Sequence, residues 1–125
     1  MKFARWTFLI AAIYGFIVLL PQYFLIEKAG IDAPPAINHH EYYYGFIGLA
    51  ASFQIAFLLI ASDPLRYRPI ILAAIVEKFS FGLATIILFA RGMVAGPIIL
   101  GAGLDLVLGI LFIICYVKLS RDPGA

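Results

Sequence analysis

Apolar residues in this chain do not alternate with polar ones at a strand or a helix period; they run on. Four predominantly apolar stretches, Thr7–Ile26, Tyr43–Ala61, Pro69–Ala90 and Pro97–Val117, are separated by shorter polar segments. Each has the roughly 20 residues that a helix needs to cross a hydrocarbon layer of about 30 Å. The pattern predicts an all-α membrane protein, a single domain over residues 1–125 with four transmembrane helices. Short connections force antiparallel neighbours, so the simplest topology is an up-down-up-down bundle. One connection is long, Glu27–Tyr42, and Pro34-Pro35 stiffens it. A loop of that size outside the membrane has room for a lid or a partner contact.

Punctuation residues refine the boundaries. Pro69 and Pro97 each suit the first turn of a span, where a missing N–H costs nothing, and Asp63-Pro64 reads as a turn or the cap of a short helix. Asn38 is placed to cap the second span, with Glu41 three residues on in the capping-box position. Lys2 and Arg5 ahead of an apolar run resemble a secretory signal, but QYFLIEK after Pro21 puts large residues where a cleavage site needs small ones. The first span is therefore expected to stay.

Basic residues orient the bundle, because Lys and Arg in short loops collect on the cytoplasmic side. With the amino terminus inside, Lys2, Arg5, Arg66, Arg68, Lys118 and Arg121 all lie inside and only Lys28 and Arg91 outside. Both termini are expected to be cytoplasmic. Composition agrees with a membrane protein: 64% of the 125 residues are hydrophobic and the mean hydropathy is +1.03. A net charge of +2, scattered over helix ends, gives no footprint for nucleic acid. Cys115, the single cysteine, excludes an intrachain disulfide and reads as a small packed apolar residue. Tyr42, Tyr43, Tyr44, Tyr23 and Trp6 read as aromatic belts at the headgroup level, and the eleven phenylalanines suit either lipid contact or a pocket for a flat lipophile.

Against this apolar background Glu77 and Lys78 stand out inside the third span. Insertion scales put a charge at such depth at roughly 2.5–3.5 kcal/mol, so it normally faces protein or a cavity. Counting at about 1.5 Å per residue, Glu77 and Lys78 lie about 12–14 Å from one face and Asp105 about 12 Å from the other, within a lysine's reach of one another. Gln54 falls in the same layer. Asp105 sits on the small stripe Gly101, Asp105, Gly109, with Ala102 alongside, and should point into the bundle. Comparable stripes run through Ala73, Glu77, Ser80 and Ala84 and through Gly48, Ser52 and Ala56, with Gln54 off to one side. Lys78 lies about 100° round its helix from Glu77, so its expected partner is Asp105.

The layer admits two readings. In one, Lys78 and Asp105 form a buried ion pair that fixes helix register, Gln54 bonds across helices and Glu77 is protonated or snorkels. In the other, Glu77 is left over as a proton donor or acceptor in an apolar pocket. Outside the spans, His39, His40 and Glu41 form a second candidate cluster. Adjacent histidines diverge and lack the spacing of a metal pair, so no metal is expected; the alternatives are interfacial capping or a pH-sensitive, ligand-facing role.

The segments EYYYGFIGLA, SDPLRYRPIIL, EKFSFGLA and DLVLGILF, with four short spans, resemble the small bacterial four-helix integral membrane proteins of the broad DoxX-like type. That resemblance, one of architecture, implies a bundle in the bacterial inner membrane and a group in which some members are similar to accessory subunits of membrane oxidoreductases. It carries over no functional residues. A weaker likeness is to the sterol-isomerase-like membrane fold, whose acids and histidine lie inside the bundle, whereas here the histidines are in a loop.

The leading expectation is a non-enzymatic accessory or assembly subunit surrounded by membrane lipids and associating with a membrane protein partner or a second copy. The alternative is a binder of, or an isomerase-like enzyme for, a small lipophilic molecule, with Glu77 as acid/base, Lys78 and Asp105 as its electrostatic setting and the outer loop as lid. An ion conductor ranks last, because one polar layer is not a chain of groups across the membrane. No cofactor is implied.

Overall fold

The computed structural model describes residues 1–121, and within them every regular element is helical. The elements are α1 (Lys2–Leu19), which runs on through a 3-10 turn (Leu20–Phe24), α2 (Ile26–Asp32), α3 (His40–Ser62), α4 (Arg68–Ala90) and α5 (Ile98–Arg121). Among the described residues four helices are long and apolar enough to cross a membrane: α1 with its 3-10 continuation, α3, α4 and α5. Only 22–33% of each apolar window is buried, so most of each helix presents Leu, Ile, Val and Phe outward, as lipid contact requires and water forbids.

The helices extend past the expected spans because hydropathy marks the apolar window and not the helix. Lys2 and Arg5 belong to α1, and His40, Glu41 and Tyr42 to α3, since ionic side chains continue a helix readily beyond an apolar core. The run Thr7–Ile26 is not one α-helix. Pro21 lacks an N–H, the chain tightens into the 3-10 turn, and Gln22 Nε2 donates to the Val18 carbonyl oxygen at 2.9 Å. The long connection is likewise not all loop, for it contains α2, spanned by a Lys28–Asp32 ion pair one turn apart. Asn38 does not cap α3: the N-cap position is His39, without a side-chain cap, and His39 Nδ1 instead lies 3.4 Å from Glu41 Oε1. Between α3 and α4, Asp63 Oδ1 accepts from the Arg66 N–H at 3.3 Å and closes the turn over buried Pro64.

Two helix pairs make the bundle. α1 packs along α3 and α4 along α5, while α1 touches α5 and α3 touches α4 over much shorter stretches. Close approach within the second pair depends on two glycines. A Cβ on Gly82 would lie 2.7 Å from Leu106 Cγ, and one on Gly109 would lie 2.8 Å from Phe79 Cε2.

Most of the buried core lies in one half of the bundle. Phe8, Phe57 and Phe112, from α1, α3 and α5, meet with ring centroids 4.3 Å (Phe8–Phe112) and 5.1 Å (Phe57–Phe112) apart. Ala4, Ala11, Ile60, Ile71, Ala74, Cys115 and Leu119 pack around them. At that end Arg68 lies 3.7 Å over the Tyr116 ring and donates to the Tyr116 carbonyl oxygen at 3.1 Å, and Arg5 donates to that of Ser62. Toward the other end the core thins to Leu19, Ile47 and Ala50 with Tyr43 against them. Tyr43 is therefore not simply part of an aromatic belt, since its hydroxyl donates to the Gln22 carbonyl oxygen at 2.8 Å and fixes the 3-10 turn to α3.

Candidate functional site

Lys78 stands on the packed face of α4, which runs Ile71, Ala74, Lys78, Gly82, Thr85. This face is one position round from the expected stripe of Ala73, Glu77, Ser80 and Ala84, three of which are exposed. Because α5 comes close at Gly109, the apolar stem of Lys78 runs along α5 and its Nζ reaches Asp105 Oδ1, one turn away from Gly109, at 3.3 Å. The expected partnership is present.

Glu77 is not left over as expected. Its Oε2 lies 3.5 Å from Lys78 Nζ, within ion-pair range but without a hydrogen bond, so one ammonium serves two carboxyl groups. The long lysine side chain overcomes the divergence of adjacent helix positions by reaching along the axis, and the Phe57 ring lies 5.4 Å from its Nζ. Both acids keep some exposure, 18% for Glu77 and 15% for Asp105, while the lysine side chain keeps 5%.

Gln54 belongs to the packed face of α3, Ile47, Ala50, Gln54, Phe57, Ile60, and not to one side of it. The expected stripe of Gly48, Ser52 and Ala56 is partly or fully exposed, with Gly48 next to the Tyr23 hydroxyl. Gln54 is 1% exposed, and its Nε2 donates back to the Ala50 carbonyl oxygen at 2.9 Å. Its Oε1 and Glu77 Oε2 are buried without a hydrogen-bond partner among the described residues. Buried polar atoms are nearly always paired, so two orphans in one site call for an explanation.

Beside both residues lies a space. Gln54, Glu77, Lys78 and Asp105 all line one cavity of about 380 Å³ between the two helix pairs. Its volume lies in the range of about 300–1,000 Å³ usual for small-molecule pockets. Ala50 and Gly101 make the room, Val18, Leu19 and Ile98 give apolar wall, and Phe46 and Phe81 stand with ring centroids 6.1 Å apart. Depth counting brought the four polar residues to one level; the cavity brings them to one place.

Tyr14 and Gln22 line the cavity too, and sequence reasoning gave neither a part in it. A phenol seven residues before the helix-ending Pro21 was the available signal for Tyr14, at a depth similar to that of Gln54.

The outer-loop candidates separate. His39 lines a second recess of about 490 Å³ under residues 33–38, which shares Phe46 and Ile98 with the cavity. His40 and Glu41 are exposed and line neither space. Among the described residues no three His, Cys, Asp or Glu side chains gather as metal ligands would. A shallow outer groove between α3 and α4, lined by Leu49, Phe53, Leu72, Ala73, Val76, Glu77 and Ser80, adjoins the site, so Glu77 faces both the cavity and the flank of the bundle. The chain matches no protein-family model, no curated protein and no solved structure.

Proposed function

We propose that this protein binds a small lipophilic molecule inside the membrane, in the cavity between its two helix pairs. The carrying observation is that the four polar residues counted to mid-span line one cavity, two of them with a buried oxygen that makes no hydrogen bond. Polar residues that served helix association alone would be satisfied within helix seams. Apolar and aromatic walls would take the body of the ligand and the polar floor would orient its head. The groove at Glu77 gives a flank by which a molecule dissolved in lipid reaches the floor. Glu77 is also the group best placed to exchange a proton with the bound molecule, should it be turned over. In this reading the helices run antiparallel with both termini on the cytoplasmic side of a bacterial inner membrane, the cavity in the outer half, consistent with the basic residues and with a DoxX-like architecture.

One observation favours the accessory-subunit reading. The small residues Ser52, Ala73, Ser80 and Ala84 are exposed on the outer faces of α3 and α4, where a partner helix is able to approach.

The test is native mass spectrometry of gently extracted wild type and Gly101→Leu, identifying what co-purifies. Gly101 lines the cavity and a Cβ there meets nothing within 4 Å, so leucine adds bulk to the space without a clash at its first atom. A lipophile present in wild type and absent from the variant is the expected result. Identical passengers in both, or a protein partner indifferent to residue 101, would overturn the pocket reading.

A further inference from the structure

The ligand's chemistry follows from the floor of the cavity, provided the pocket reading holds. Charge is the first constraint. Glu77 and Asp105 bring two carboxyl groups and Lys78 one ammonium, and the other polar side chains at the cavity, Tyr14, Gln22 and Gln54, are uncharged. With all three groups ionised the floor carries one negative charge in excess, in surroundings where an uncompensated carboxylate is costly and takes up a proton or a cation.

Donor count is the second constraint. The Gln54 nitrogen is committed to the Ala50 carbonyl, and turning the amide over would set oxygen against oxygen, so Oε1 is fixed as an acceptor. Glu77 Oε2, ionised, is a second acceptor, in ion-pair range of Lys78 Nζ at 3.5 Å but without a hydrogen bond. An alcohol has one donor for the two orphans, a ketone has none and a carboxylate would add repulsion. A primary ammonium has three donors and the missing charge.

We infer that the cavity is a site for a lipophilic primary amine, its apolar body lying against Phe46 and Phe81 and its ammonium donating to Gln54 and Glu77, whose covered oxygens turn toward the cavity as the amine enters. Lys78 remains paired with Asp105, braced by Phe57 on a side that does not line the cavity. The ammonium belongs either to a free amine or to the headgroup of an aminophospholipid, which present the same chemistry.

The full-length protein in a non-ionic detergent is titrated with decylamine, decanol, decanoate and decyltrimethylammonium and read by native mass spectrometry. Decylamine should bind one to one and about tenfold or more tighter than decanol, with the quaternary ion weaker than decylamine because it has no N–H. Glu77→Gln should bring decylamine to the level of decanol, and Gln54→Leu should narrow the gap. Decanol equal to decylamine in wild type, or an amine preference indifferent to Glu77→Gln, would overturn the amine assignment while leaving a lipophile pocket in place. Should Glu77→Gln fail to fold, an amine preference unchanged by Gln54→Leu overturns it equally. Absence of binding by all four probes, with the same passengers in wild type and Gly101→Leu, would overturn both readings. Nanodiscs of phosphatidylcholine with and without phosphatidylethanolamine separate the sources. Loss of decylamine binding where phosphatidylethanolamine is present assigns the ammonium to the phospholipid, and retention there assigns it to a free amine.

Discussion

The side-chain amide of Gln54 occupies the space that a side chain at position 15 would need. A Cβ built on Gly15 would lie 2.8 Å from Gln54 Cγ and would overlap the amide beyond it. Gly15 is thus required by space and not by backbone conformation, and it lets α1 close over a polar group on α3. Gly15→Ala should force the amide off Ala50, with overpacking of about 1–3 kcal/mol partly offset by the roughly 1 kcal/mol that alanine gains over glycine in a helix. The obstruction disappears if residue 54 is small. A double-mutant cycle of Gly15→Ala with Gln54→Ala, read by thermal unfolding in detergent, should therefore show coupling of about 0.5–3 kcal/mol, the double variant being more stable than the two singles sum to. Additivity would mean that the two residues do not share this space.

Lys78 holds two acids, so its loss should exceed the loss of either. Lys78→Met leaves Glu77 and Asp105 inside the bundle without a counter-charge, a change of the kind that costs about 3–5 kcal/mol. Asp105→Asn leaves Lys78 with Glu77 at 3.5 Å and should cost less. Lys78→Met with Asp105→Leu removes one of the two uncompensated acids and should recover part of the stability that Lys78→Met loses. Unfolding midpoints in detergent titration decide the order, and a double variant no better than Lys78→Met would remove the ion pair from the account of the fold.

Spans and depth were legible in the sequence because both depend on counts along one axis. Four apolar runs correspond to four long helices, and counting residues brought Gln54, Glu77, Lys78 and Asp105 to the level at which the cavity lies. Rotation about the helix axis was not legible on α3 and α4. In a helix bathed in lipid the inner and outer faces are equally apolar, so hydropathy carries no phase, and small residues occur on both. The stripe through Ala73 and Ser80 turned out to face outward, and that through Ala74 and Gly82 to face the bundle. Asp105 was placed correctly because Gly109, on its stripe, is needed for the approach of Phe79 and Lys78. Tyr43 and the 3-10 turn escaped notice because their link, Tyr43 to the Gln22 carbonyl, joins residues 21 positions apart.

The proposed topology has a direct readout. Cysteines placed at Asn38 and Met93 should react in intact cells with a membrane-impermeant maleimide, whereas one at Arg66 should react only after permeabilisation. Cys115 is buried and should stay unlabelled in the folded protein, so it need not be removed. Labelling of Arg66→Cys in intact cells together with protection of Asn38→Cys would invert the orientation.

Gly101 separates a functional cavity from a packing defect by the signs of two effects. It lies in α5 on the cavity wall, and a Cβ there meets nothing within 4 Å. Replacing a helical glycine relieves backbone entropy, worth up to about 1 kcal/mol, and a larger apolar side chain also fills space that the core leaves open. On stability alone Gly101→Leu should therefore be neutral or favourable, with an unfolding midpoint at or above wild type. On binding it should be adverse, because the new side chain competes with the ligand for the volume beside Phe46 and Phe81. Stability held or raised while co-purified lipophile and decylamine binding fall is the combination expected of a site in which room is kept for a ligand at the expense of packing. Were both properties to rise, or binding to stay level, the volume would be a void in the packing and the ligand would have to lie elsewhere on the bundle.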